Sequence, residues 1–278
     1  MNPASDHPDT GNRDNECGGQ WARSAAAMSI RGLGLLTLGL ILGVVPALAQ
    51  GRAVRAGAKP SLAALQSAVR ARPKDARAHH ALGVALATRQ QFAPAAESLR
   101  QATNLDPTLV EAWSDLAEVF EQMGNLEQAR LTYIRAIEVE PRNADLRISL
   151  GSLLHRLQLL EAAVGEFRQA ALLKPQAAEV RTNLGFVLGQ LGDLPGSLRE
   201  FEEAVRLKPD LAEAHYFLGL GRLISGNPDG GILALREASR LSPRQVDHQT
   251  SLAVALLKRG TPGDLREALD VLRRTVQL

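Results

Sequence analysis

Proline recurs at Pro73, Pro107, Pro141, Pro175, Pro209 and Pro243, a constant separation of 34 residues. No other feature constrains the chain as strongly, because equal spacing over five intervals demands a unit that repeats and stacks. The series Leu82, Leu116, Leu150, Leu184, Leu218 and Leu252 keeps the same period, each followed by Gly83, Ala117, Gly151, Gly185, Gly219 or Ala253. Ala102, Ala136, Ala170, Ala204 and Ala238 form a third series. Small residues recur where two backbones approach and large ones where space must be filled. A fixed period of this kind implies a solenoid, each unit burying its apolar face against its neighbours.

Within one unit, Val110 to Gln122 sets Trp113, Leu116, Ala117 and Phe120 on one stripe of an α-helix. Gly124-Asn125 breaks it, and Leu126, Ala129, Tyr133, Ala136 and Ile137 form a second stripe that ends before Pro141. Trp113 and Tyr133 are expected to supply bulk between the helices, while Ala117 and Ala129 let them close. The pattern W-x2-L-A-x2-F, then A-x3-Y, then P resembles the tetratricopeptide repeat. The resemblance covers Ala76 to Leu278, as units 76–109, 110–143, 144–177, 178–211, 212–245 and a partial 246–278. It implies an all-α, right-handed superhelical solenoid of antiparallel helix hairpins. Residues 61–75 resemble only a second helix and are expected to cap the N-terminal end. In the last unit the pattern resumes three residues late, so Gly260 to Pro262 reads as a lengthened turn between helices. Arg222 and Gly231 depart from the pattern and are expected to loosen the fifth hairpin. Pro195 and Pro228 fall in the first turn of second helices, where the missing amide is harmless.

Composition agrees with a helical repeat: 45% apolar, 22% charged and only 4% aromatic residues exclude a disordered or collagen-like chain. A net charge of +2 is too small a footprint for a protein that tracks phosphates, so no nucleic acid partner is expected. The lone Cys17 supports neither an intramolecular disulfide nor a cysteine zinc site.

The N-terminus reads as an export signal. Gly32 to Val45 is an uncharged apolar run after Arg31, and Pro46-Ala47-Leu48-Ala49 follows with small residues spaced for cleavage after Ala49. The run falls short of the ~20 residues that span a bilayer, which favours a removable signal over an anchor. Residues 1–49 are thus read as leader and signal peptide, with Met28 as a second candidate start, and residues 50–60 as a flexible lead. The expected destination is a bacterial periplasm, with N-terminal membrane anchoring as the alternative. Removing residues 1–49 takes away three bases and four acids and leaves +3.

Chemistry is scarce. His79 and His215 hold the packing position of Trp113 and are expected to fill the core, whereas His80 and His248 project from other sides of their helices. No histidine pair has HExxH spacing, and no nucleophile elbow, Walker loop or dinucleotide fingerprint follows a strand. Gly219-Leu220-Gly221 lies inside a helical stripe, and Glu202-Glu203 reads as a solvated face. No catalytic residue, metal, cofactor or small-molecule substrate is expected.

In the resembled family the first helix of each unit lines a concave surface, which directs attention to residues offset from the packing stripe. Glu111, Asp115, Glu118 and Glu121 make one end acidic, and Asp145, Glu179 and Glu213 continue its border. Phe186, Tyr216, Phe217, Leu220, Leu223, Ile224, Val254 and Leu257 make the other end apolar, with Arg156, Thr182, Asn183 and Gln190 between. Asn183 matches a position at which family members hold a peptide backbone. Ser114, Ile148 and Phe186 stand where relatives that grip a terminal carboxylate need lysine or asparagine. The candidate binding residues are therefore Glu118, Glu121, Arg156, Asn183, Phe186, Gln190, Tyr216, Phe217 and Leu220. They suit a protein segment with apolar anchors beside Lys or Arg. The competing reading is that Leu220, Leu223, Ile224, Val254 and Leu257 only pack between units. The expected function is an exported scaffold for protein-protein interaction. The alternatives are a helical accessory subunit of an envelope-biogenesis or glycosyl-transfer machine, and a homo-oligomer built through an uncapped C-terminal end.

Overall fold

A computed structural model describes residues 60–277. Thirteen α-helices and no strand occur among the described residues. They fall into two compact units that divide between Leu173 and Lys174. In residues 60–173 the helices are α1 (Leu62–Ala71), α2 (Ala76–Ala87), α3 (Phe92–Leu105), α4 (Val110–Gln122), α5 (Leu126–Val139), α6 (Ala144–Arg156) and α7 (Leu160–Leu173). In residues 174–277 they are α8 (Ala178–Gln190), α9 (Leu194–Leu207), α10 (Ala212–Ile224), α11 (Pro228–Leu241), α12 (Val246–Arg259) and α13 (Pro262–Thr275). Leader, signal and cleavage site lie outside the described residues.

The first five hairpins close by setting a small residue of the first helix against a large one of the second. The position of the Gly185 Cβ lies 2.8 Å from Phe201, and that of Gly151 3.0 Å from Phe167. Ala117 and Tyr133 occupy the same two register positions, and both are buried. A side chain at Gly185 would displace a fully buried ring, a cost of roughly 1–3 kcal/mol. The turn between the helices uses one left-handed residue at a fixed register: Gln90, Gly124, Gln158, Gly192, Gly226 and Gly260.

Gly231 does not loosen the fifth hairpin. The position of its Cβ lies 2.7 Å from Leu223 and 3.0 Å from the Gly219 carbonyl, so the missing side chain lets α10 and α11 close tightly. Arg222 turns outward and pairs with Glu202 at 3.0 Å. Pro195 and Pro228 occupy the first turns of α9 and α11.

The turn of the last unit is not lengthened either. Gly260 is left-handed, Thr261 is the N-cap of α13 in a reciprocal capping box with Asp264, and Pro262 already opens the helix. The extra residues enter helix instead, and the packing stripe of α13 begins a turn late, with Ala268 and Val271 buried while Leu265 is exposed.

A ladder of side-chain donors joins five of the six first helices to the proline before them, the exception being α8, where Arg181 pairs with Glu200 instead. His79 Nε2 pairs with the Pro73 carbonyl at 3.0 Å, Trp113 Nε1 donates to Pro107 at 2.9 Å, and Arg147 to Pro141 at 2.8 Å. His215 pairs with Pro209 at 2.9 Å, and Gln249 donates to Pro243 at 3.3 Å. His79, Trp113 and His215 are therefore half-buried caps on a carbonyl rather than core filling. The shared feature is a side-chain N–H six residues after proline, which satisfies a backbone acceptor that the helix cannot reach.

Candidate functional site

In residues 60–173 the face of α4 carries Asp115, Glu118 and Glu121 at spacings of three, a slanting row on one side of the helix. Asp115 Oδ2 lies 2.5 Å from His80 Nε2 on α2. Glu121 is held from two sides: the Tyr133 hydroxyl donates to Oε1 at 2.9 Å, and Arg156 of α6 pairs with Oε2. Between these engaged neighbours Glu118 is half-buried, and no cation among the described residues pairs with it. Burial and the flanking Asp115 and Glu121 push its carboxyl up to about 7. Burial also raises Glu121, against the pull of Tyr133 and Arg156. Tyr133, itself buried next to these carboxylates, is held in its neutral form. Arg156, with its side chain 46% exposed, thus pairs with Glu121.

Glu111, Asp145, Glu179 and Glu213 sit in the first turns of their helices, where a carboxylate complements the helix dipole. Glu179 also pairs with Lys208 at 2.7 Å. Their acidic border is in good part helix capping.

In residues 174–277 the candidate residues lie on α8 and α10. Asn183, Phe186 and Gln190 are half-buried on α8, while the Thr182 hydroxyl is buried and donates to the Ala178 carbonyl. Phe217 meets Phe186 at 5.1 Å, Phe201 at 5.6 Å and Tyr216 at 5.2 Å between ring centroids. Aromatic pairs at such distances add to the burial of their area, so Phe217 is mainly a packing residue. Leu220 is a correction: only 7% exposed, it belongs to the core formed with Ile232, Leu235, Leu252 and Leu256. Leu223 and Ile224 are half-buried, whereas Val254 and Leu257 are 44% and 47% exposed.

His248 was expected on another side of its helix. It is 5% exposed and stacks on Tyr216 at 4.6 Å. The signal was present in the period: Ala112, Ala214 and His248 share one register position, and both alanines are buried completely.

No group of side chains among the described residues is arranged to hold a metal ion. No described helix is long and apolar enough to cross a membrane.

The described helices have the fold of a tetratricopeptide repeat solenoid. Residues 47–109 and 114–178 match the tetratricopeptide repeat family, and the same 34-residue register continues through Pro243. The match begins at residue 47, ahead of the expected cleavage after Ala49. Among solved structures, YrrB, described as a tetratricopeptide protein with an unusual peptide-binding site, is 21% identical with a TM-score of 0.59, covering 69% of this chain and 98% of its own. MamA is 19% identical with a TM-score of 0.56, covering 61% of this chain and 93% of its own. MamA of Desulfovibrio magneticus is 15% identical with a TM-score of 0.57, covering 61% and 96%. At these identities the likeness establishes the fold. No curated relative matches the sequence.

Proposed function

We propose that the chain is an exported, non-catalytic scaffold that binds a protein segment carrying Lys or Arg beside apolar anchors, with Glu118 as the seat of the basic side chain. One observation carries this reading: Glu118 is a half-buried carboxylate between two others, each engaged, and it lacks a cation of its own. Such a group is costly to ionise alone and gains most when a partner brings positive charge. The peptide-binding site named for YrrB supports peptide recognition on this fold. In residues 174–277, taken by themselves, Tyr216, Asn183 and Gln190 are half-buried on first helices and are proposed as a separate set of contacts for apolar and backbone parts of a protein segment. Export to a bacterial periplasm is supported by the Gly32–Val45 run and its Ala47 and Ala49 site.

Selection of displayed random peptides on the folded chain tests the specificity. Enrichment of Lys or Arg next to Leu, Ile or Phe, lost on a Glu118→Gln variant, is the expected result. Selected peptides with no basic preference would contradict it. Export is checked separately by mass spectrometry of secreted material, which should begin at Gln50.

A further inference from the structure

His248 is the one imidazole among the described residues buried below a tenth of its surface, and nothing in the proposed binding reaction uses it. Its ring lies almost parallel to Tyr216 of α10, 24° between planes, and its Nδ1 faces the Ala238 carbonyl of α11 at 3.4 Å. That contact places a ring proton on Nδ1, and it is burial that disfavours a second proton on the imidazole. Three helices therefore meet at one titratable ring. Among the titratable and charged groups on those helices, Tyr216 is kept neutral by burial, and its hydroxyl pairs with Ser251 at 3.4 Å. On α11, Glu237 and Arg240 pair with each other at the surface, and His215 of α10 pairs with the Pro209 carbonyl. Asp247, next to it on α12, favours a charged ring.

We propose that His248 makes residues 174–277 sensitive to acid: packing of α10, α11 and α12 needs its neutral imidazole, and protonation loosens its stack with Tyr216 and opens the aromatic face of α10. Burial holds the folded-state pKa below the ordinary histidine value, despite the Ala238 carbonyl and Asp247. The linkage sign follows: the folded form binds the proton less readily than the unfolded chain, so stability is present in full above the unfolded value and falls as pH falls. The inference does not depend on what the α4 face binds.

The test is amide hydrogen exchange of the full chain at pH 7.5 and pH 5.0, corrected for intrinsic rates and read on peptides covering α10 to α12. His248→Phe keeps a ring to stack and removes the proton site. Wild type is expected to lose up to about tenfold in protection in acid, and the variant to lose clearly less, since each pH unit below the unfolded value costs tenfold until the folded value is reached. Equal loss in both, or no loss in wild type, overturns the proposal. Should His248→Phe fail to fold, the proton titration of the His248 ring in wild type decides by nuclear magnetic resonance: a midpoint below the ordinary histidine value supports it, and one at or above that value overturns it.

Discussion

Gln158 adopts φ 60 and Gln90 φ 59 at a turn register where four other repeats place glycine. A side chain in the left-handed region costs on the order of 1–2 kcal/mol, so Gln158→Gly should stabilise residues 60–173 by about 1 kcal/mol in a denaturant titration. Trp113 and Phe201 make a second comparison. Phe201 is fully buried, and Phe201→Ala should cost about 3–5 kcal/mol. Trp113 is half-buried and caps a carbonyl, so Trp113→Ala should cost about 2 kcal/mol, the sum of one hydrogen bond and partial burial. Equal costs would contradict the ladder. Glu118 supplies a pH dependence of the opposite sign to that of His248. Burial and its acidic neighbours push its carboxyl from the ordinary 4.5 up to about 7, so stability falls as pH rises between them. Glu118→Gln should therefore raise the unfolding midpoint at pH 8, by about 1–2 kcal/mol after allowance for solvent screening, and change little near pH 4.5.

At the scale of the helix hairpin, much was legible from spacing alone. Val110–Gln122 and the following Leu126–Val139 stand where the two apolar stripes place them. Helix existence follows from local pattern, which the repeat states several times over. Depth does not, because it is set by the volume of side chains on the next helix. Leu220 reads as a groove residue by position, yet α11 and α12 cover it. Gly231 reads as a loose spot, yet the glycine opposite it turns absence of bulk into close approach. At the start of α13, Asp264 accepts from Arg259 of α12 at 2.9 and 2.6 Å and closes the capping box, while Arg259 also donates to Asp229 at 2.5 Å. Hydrogen bonds from Arg259 hold the Asp264 carboxyl well below the usual carboxylate range. Asp264→Asn should accordingly fray α13 first, seen as loss of exchange protection in 262–275 before α12 is affected. Uniform loss across both helices would contradict that order.

The molecule joins a repeated structural frame to a face whose charges differ from unit to unit. The frame recurs because the same small-against-large closure serves the first five hairpins and the same proline cap serves five of the six first helices. Binding character varies because positions off the packing stripe are not needed for closure: Glu118 on α4, Ser152 on α6 and Phe186 on α8 share one register. Sequence could assign these residues to a face, but it could not show that Arg156 is engaged by Glu121 and that Glu118 is left without a cation. A charge-swap binding measurement tests that central point most directly. A selected peptide with one critical Lys is titrated against wild type and Glu118→Lys, then the same peptide with that Lys replaced by Glu against both. Loss of binding on the single change, and recovery when both charges are exchanged, is the predicted result. Binding that is indifferent to the charge at residue 118 would contradict the proposed seat.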